Sequence, residues 1–178
     1  MSTIKKRKVG IYKGAIVANP SKVLIGWQEW ASLPKLNIPA IKTKIDTGAK
    51  TSALHASEIY PFHRHGVKYV HFLVHPIQAS LKYETVCTAI VVDERMVKNS
   101  GGQKELRYVI KTPIMLGLMI WDIEITLTNR DLMRFRMLLG RDALKGHSLV
   151  DPGKILYQGK LSSKQLHQLY MHPHKGSE

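Results

Sequence analysis

The run Ile38-Pro-Ala-Ile-Lys-Thr-Lys-Ile45 is rich in β-branched residues, alternates in part, and stops at Asp46-Thr47-Gly48-Ala49. Its pattern is that of a strand with a buried face. Asp, Thr and Gly are the residue types that end strands and make turns. The chain must therefore turn just where a carboxylate appears, which fixes that carboxylate at the mouth of a strand. Taken alone, the tripeptide is an ordinary strand-to-turn junction. Two later features give it a context. The segment Met137-Leu-Leu-Gly-Arg-Asp-Ala-Leu144 passes from a short apolar strand into a short helix, with Gly140 and Arg141 at the junction. Between the two lies Lys98-Asn-Ser-Gly-Gly-Gln-Lys-Glu-Leu-Arg-Tyr108, a glycine-tipped hairpin signal.

Further strand signals fill the rest of the chain. They lie around Lys22–Trp27, in VKYVHFLVHPI and YETVCTAIVV on either side of the turn-like QASLK, and over Ile120–Leu127, where apolar and polar residues alternate. SSKQLHQLY reads as a terminal helix capped by Ser162 or Ser163. The expected fold is mainly β. Residues 1–15 read as a flexible basic arm, 16–160 as one domain, and 161–178 as a basic tail with a short helix. No repeat and no shift in composition divides the chain.

Charge bears on partners. Lys and Arg number 27 against 13 Asp and Glu, a formal net charge of +14. Such an excess favours an acidic partner: RNA, a ribosome or an acidic peptide. Cys87 is the single cysteine, so no internal disulfide forms, and its setting in TVCTAIVV is that of a small core residue. The longest apolar run, IMLGLMIW, falls far short of the ~20 residues of a membrane span. The basic start is followed by a mildly apolar stretch that Lys13 interrupts, with no convincing cleavage site, so a signal peptide is not expected. A cytoplasmic protein with no membrane partner is expected.

Metal and nucleotide chemistry find no residues. His71 and His75 have helical spacing but fall in a β-rich run, where i and i+4 stand ~13 Å apart. There is no His-Glu-x-x-His and no phosphate loop of the Gly-x4-Gly-Lys-Ser/Thr type. His63 and His65 read as a loop pair. No cofactor and no metal is expected.

The order Asp-Thr-Gly-Ala strand, glycine-tipped hairpin, apolar-apolar-Gly-Arg resembles the retropepsin-like aspartic peptidases. GWQEWASLPKLNIPAIKTKIDTGAKTSALHA, VHFLVHP, SGGQKELRYVIKTPI and LTNRDLMRFRMLLGRDAL are similar more narrowly to the RimB group, associated with RimK, a ligase that adds glutamates to a ribosomal protein. The resemblance implies a closed β-barrel with a flap, one lobe per chain. It also implies an aspartic peptidase that trims poly-glutamate tails, with a RimK-type ligase as a possible further partner. The alternative is a non-catalytic basic module that docks on ribosome or RNA.

Peptide hydrolysis of this class needs one ionised carboxylate to take a proton from water and one protonated carboxyl to donate to the scissile carbonyl. This chain carries one such motif and is too short for two lobes. A symmetric homodimer, each copy contributing Asp46, supplies the second acid. The resemblance then gives Asp46, Thr47 and Gly48 as catalytic, with Thr47 bonding across the two-fold axis and Gly48 permitting close approach at the turn. Ala49, Lys50 and Thr51, with Gly101, Gly102, Lys104 and Arg107 of the flap, are expected to bind substrate. Leu139, Gly140 and Arg141 are expected to support the loop from behind. In retropepsins that Arg pairs with an acid just after the motif. Here the position holds Lys50, so Arg141 needs another partner, with Asp142, Asp131 and Asp151 as candidates, and Lys50 becomes a cation suited to an acidic substrate.

Overall fold

The computed structural model describes residues 22–78, 80–98, 102–129 and 134–171. The mainly β fold expected from the sequence is what these residues form. The strands are β1 (Val23–Gly26), β2 (Gln28–Leu33), β3 (Ile38–Ile45), β4 (Ser52–His55), β5 (Ser57–Arg64), β6 (Val67–Val74), β7 (Thr85–Lys98), β8 (Lys104–Leu116), β9 (Met119–Thr128), β10 (Met137–Leu139) and β11 (Ser148–Asp151). Two helices accompany them, α1 (Arg141–Leu144) and α2 (Ser163–Met171). The proposed arm at 1–15 lies outside the described residues.

Nine strands form one sheet in the order β2-β3-β10-β4-β9-β8-β7-β6-β5, and a further pairing of β2 with β8 at Ser32 and Met115 brings six of them into a ring. Pro113 lies between the last β8 residue paired to β7, Ile110, and Met115, which pairs with β2. A residue without an N–H is tolerated where a strand leaves one neighbour for another. β7 changes partner as well. Thr85–Ile90 pair with β6, and beyond an irregularity between Val91 and Asp93 the strand pairs with β8 as far as Lys98 and Lys104. The inward residues Ile41, Leu54, Phe72, Ile110, Ile114, Ile125 and Met137 are fully buried and form the core with Cys87. At ~25 cal/mol per Å2 of apolar surface, this cluster is the main driving force of the fold.

β1 and β11 form a separate parallel pair. Glu29 ties this end together. Its carboxylate is fully buried and accepts N–H bonds from Gly26 (2.7 Å), Tyr157 (2.9 Å) and Gln158 (3.2 Å). Three donors to one charge are what a buried carboxylate without a cation requires. Helix α2 begins with a reciprocal cap: Gln165 N–H donates to Ser162 Oγ at 3.3 Å, and Ser162 N–H to Gln165 Oε1 at 2.8 Å. Ser162, of the two serines considered, is the cap. The helix docks through Tyr170, whose hydroxyl donates to the Ala40 carbonyl on β3, and burial pushes the Tyr170 phenol up from its ordinary range. His63 belongs to β5 rather than to a loop, and only His65 of that pair sits in the turn.

Candidate active site

β3 enters the sheet between β2 and β10 and delivers Asp46 at its end. The backbone there is fixed on both sides. Ile45 N–H donates to Trp27 O, and Asp46 N–H to Leu139 O, each at 2.9 Å. One carboxylate oxygen, Asp46 Oδ1, accepts from Gly48 N at 3.0 Å and from Ala49 N at 3.2 Å. The loop thus folds back over its own acid, as Asx turns do. The other oxygen, Oδ2, has Lys44 Nζ at 3.9 Å, and the side chain keeps 29% of its surface open. Gly48 serves by close approach. A Cβ there would lie 3.2 Å from Asp46 Oδ1.

The support comes from the distant segment expected to lie behind the loop. β10 runs parallel to β3 (Leu139 beside Ile45) and antiparallel to β4 (Leu138 beside Ala53), so it separates the strands that enter and leave the loop. Gly140 follows in close contact: an added Cβ would meet Thr51 C and O at 2.6 Å and Lys50 O at 2.7 Å. Its N–H donates to Ser52 Oγ at 3.2 Å. Arg141 N–H then reaches Ala49 O (2.9 Å) and Asp142 N–H reaches Lys50 O (3.1 Å). The Arg141 guanidinium donates from Nη1 to Thr47 O at 2.9 Å and to Gly48 O at 2.8 Å. The partner sought for Arg141 among carboxylates is instead this pair of loop carbonyls. Asp151 is engaged by Tyr157 and Gly153, whose hydrogen bonds hold its carboxyl below the usual range. Asp131 lies outside the described residues. Trp121 anchors α1 by donating from its indole to Ala143 O at 2.9 Å and stacks on His147 with ring centroids 4.8 Å apart.

The hairpin of β7 and β8 is the one expected to act as a flap. Gly102 at its tip has φ +84°, a left-handed conformation suited to glycine, and Gly101 lies outside the described residues. Lys104 is exposed beside Lys98. Arg107 departs from expectation. It is buried at 5% exposure, and both Nε (3.2 Å) and Nη2 (3.0 Å) donate to Glu105 Oε2. Glu105 Oε1 in turn accepts from Thr128 Oγ1 at 3.3 Å. With two of its N–H donors committed to Glu105 and its side chain buried, Arg107 is held in an ion pair on its own strand rather than presented as a free receptor for a substrate carboxylate. The signal was readable: opposite charges at i and i+2 share one face of a strand.

An open cleft of about 460 Å3 lies between the hairpin and the loop, lined by Lys50, Thr51, Lys98 and Arg95 with Glu124 and Asp142 among others. Arg95 is committed to Asp93 (2.6 Å) and Glu124 (2.5 Å), leaving Lys50 and Lys98 as the exposed cations of the rim. Lys50 and Thr51 line this cleft together with Lys98 of the hairpin, whereas Lys104 and Arg107 are not among its lining residues. Among the described residues, no second carboxylate is hydrogen-bonded to Asp46, and no group of three or more His, Cys, Asp or Glu is placed to hold a metal ion.

A family model described as RimB-like, the retropepsin-like aspartic endopeptidase RimB, matches residues 24–160. Similar proteins include one from Desulfotalea psychrophila, 46% identical over 150 residues that cover 84% of this chain and 32% of that one. One from Shewanella pealeana is 47% identical over 150 residues, with 84% and 33% covered. Both carry the name "Probable alpha-L-glutamate ligase". The chain spans about a third of the length of these relatives. Among solved structures, a Legionella pneumophila protein of unknown function superposes with a TM-score of 0.66 at 29% identity, covering 78% of this chain and 99% of that one.

Proposed function

The chain belongs to the RimB-like family of retropepsin-like aspartic endopeptidases, and from that premise we propose that two copies join to form an aspartic peptidase acting on glutamate-rich tails, such as that of a polyglutamylated ribosomal protein. The observation that carries this reading is the mounting of Asp46. One oxygen is held by the Gly48 and Ala49 amides, while Arg141 and Gly140 fix the loop from behind. The bonds from Gly48 and Ala49 are those of an ordinary Asx turn, and what goes beyond it is the clamp on the loop from the distant Gly140–Arg141 segment. The placement leaves Oδ2 for chemistry.

Asp46 and Asp46 of the partner subunit, brought within ~3 Å, hold one proton between them, because two adjacent carboxylates cannot both ionise cheaply. The ionised acid takes a proton from a water, whose oxygen attacks the scissile carbonyl carbon. The protonated acid donates to the carbonyl oxygen. Collapse of the tetrahedral intermediate breaks the C–N bond as the nitrogen is protonated. Thr47, exposed beside the acid, bonds across the two-fold axis. The hairpin tip closes over the peptide and excludes water.

Two facts favour an acidic substrate. Lys50 and Lys98 rim the cleft beside the loop in a chain of net charge +14. The similar proteins are named for glutamate ligation, and a RimK-type ligase would supply the tail removed here. The test is to incubate the purified protein with a glutamate-tailed peptide and follow its mass. Wild type shortens the tail, Asp46→Asn folds but does not, and Lys50→Glu cleaves at least ~10-fold more slowly, the scale of one charge-assisted contact. Unaltered cleavage by Asp46→Asn would sink the mechanism, and unaltered cleavage by Lys50→Glu would sink the role of Lys50. Specific activity falls on dilution as the dimer separates.

A further inference from the structure

The site uses one end of the sheet. The opposite end carries a second feature that the peptidase does not require. β5 and β6 form a hairpin at the sheet's edge, with Pro61 on the edge strand. The inner face of this region carries Val70, Phe72 and Cys87 into the core. The outer face carries Phe62 beside Tyr69 beside Ile90 in one row, and Tyr60 beside His71 beside Thr88 in the next. Tyr60 is 61% exposed, Phe62 40% and Ile90 49%. Phe62 and Tyr69 stack with centroids 5.5 Å apart and planes 18° off parallel, so their rings form one continuous surface. Tyr60 stands two residues along the strand from Phe62, about 7 Å away. The hairpin end adds His63, Arg64 and His65, all exposed, and Glu58 is the acidic side chain on β5.

We propose that this outer face of β5, β6 and β7 is a docking platform for single-stranded nucleic acid, its unpaired bases stacking on Tyr60, Phe62 and Tyr69 while Arg64, on the same face of β5, meets the phosphates. Exposed aromatic rings on adjacent strands are costly in water and suit any base, since every base has a π-face. Charge selects the partner. A chain of net charge +14 attracts a polyanion, and a purely apolar protein surface would leave Arg64 to be covered without a counter-charge. The platform is independent of the peptidase reading, because none of its residues touches the Asp46 loop or the cleft.

The probe is a fluorescently labelled single-stranded oligo(U) of about 12 nucleotides, within the range of single-strand site sizes. Anisotropy is read against the full chain at two salt concentrations, beside a duplex RNA of equal length. The single strand binds more tightly than the duplex. Phe62→Ala with Tyr69→Ala, and separately Tyr60→Ala, weaken it by about 10-fold or more, with peptide cleavage unchanged. Arg64→Ala lowers the slope of log K against log salt by roughly 1. Circular dichroism confirms that each variant is folded, and Phe62→Trp, which keeps a stacking face, retains binding if Phe62→Ala is compromised. Aromatic variants that bind like wild type, a duplex that binds as tightly, or a face whose mutation alters only self-association in sedimentation would each overturn the platform.

Discussion

Removing the Glu29 carboxylate tests how the two ends of the domain are joined. Glu29 is fully buried and receives the N–H groups of Gly26, Tyr157 and Gln158 at 2.7, 2.9 and 3.2 Å. In Glu29→Ala these three donors lose their acceptor. A buried donor left without a partner costs about 1–3 kcal/mol, so three would cost about 3–9. Two terms reduce that sum: water entering the vacated space can satisfy part of the demand, and the cost of burying an unpaired charge disappears. The net loss is about 3–4 kcal/mol, a fall in Tm of roughly 8–14 °C for a domain of this size. Glu29→Gln keeps the volume and one acceptor oxygen but turns an NH2 toward one donor, and loses about 2 kcal/mol. Urea unfolding followed by tryptophan fluorescence measures both losses. Amide exchange adds a local reading, since protection of Tyr157 and Gln158 should fall further than protection of Ile110 or Ile125 in the core. If Glu29→Ala unfolds within about 1 kcal/mol of wild type, the three hydrogen bonds do not hold the chain ends, and the argument from satisfied buried donors fails.

Arg141→Lys loses the double hold on Thr47 O and Gly48 O, and because the side chain is exposed it should shift stability by less than ~1 kcal/mol while slowing peptide cleavage by about 10- to 100-fold, read as kcat against Tm. Gly140→Ala forces a methyl to within 2.6 Å of the Thr51 carbonyl and should cost about 1–3 kcal/mol and most of the cleavage activity, checked by the same pair of assays. Burial pushes the Cys87 thiol up to about 12, so in folded protein at pH 8 it should not react with a thiol reagent that labels it after unfolding. The same shift sets a sign. The raised folded value contributes stability that is whole below the unfolded thiol's pKa near 9 and is lost as pH rises toward 12. Cys87→Ala should therefore flatten the alkaline limb of a stability profile that the wild type shows.

Local chemistry in the sequence foretold local structure well. The turn after Ile45, the passage from Met137-Leu138-Leu139 into α1, the hairpin tip and the Ser162 cap each follow from a few neighbouring residues. What the sequence withheld is long-range. The partner of Arg141 is two carbonyls of a loop, and carbonyls leave no trace in residue identity. The lodging of β10 between β3 and β4, and the pairing of β1 with β11, join segments far apart along the chain, where pattern carries no register. Glu29 lies beyond the strand expected to end near Trp27, yet it falls in a further strand, β2, and is buried, because backbone donors from residues 157 and 158 arrive to meet it. The partner of Arg107 was legible: Glu105, two places back on the same strand face, takes its guanidinium. Phe62 and Tyr69, separated by a short turn, become one surface only through the strand register.

The bracing of Asp46 by Leu139, Gly140 and Arg141 has a consequence for the newborn protein. Synthesis proceeds from the N-terminus, so the acid is made long before the residues that hold its loop. Until they leave the ribosome, the loop lacks its clamp and the acid its fixed direction. On the peptidase reading proposed above, a chain cut short before Arg141 would carry the complete motif without the clamp that holds it.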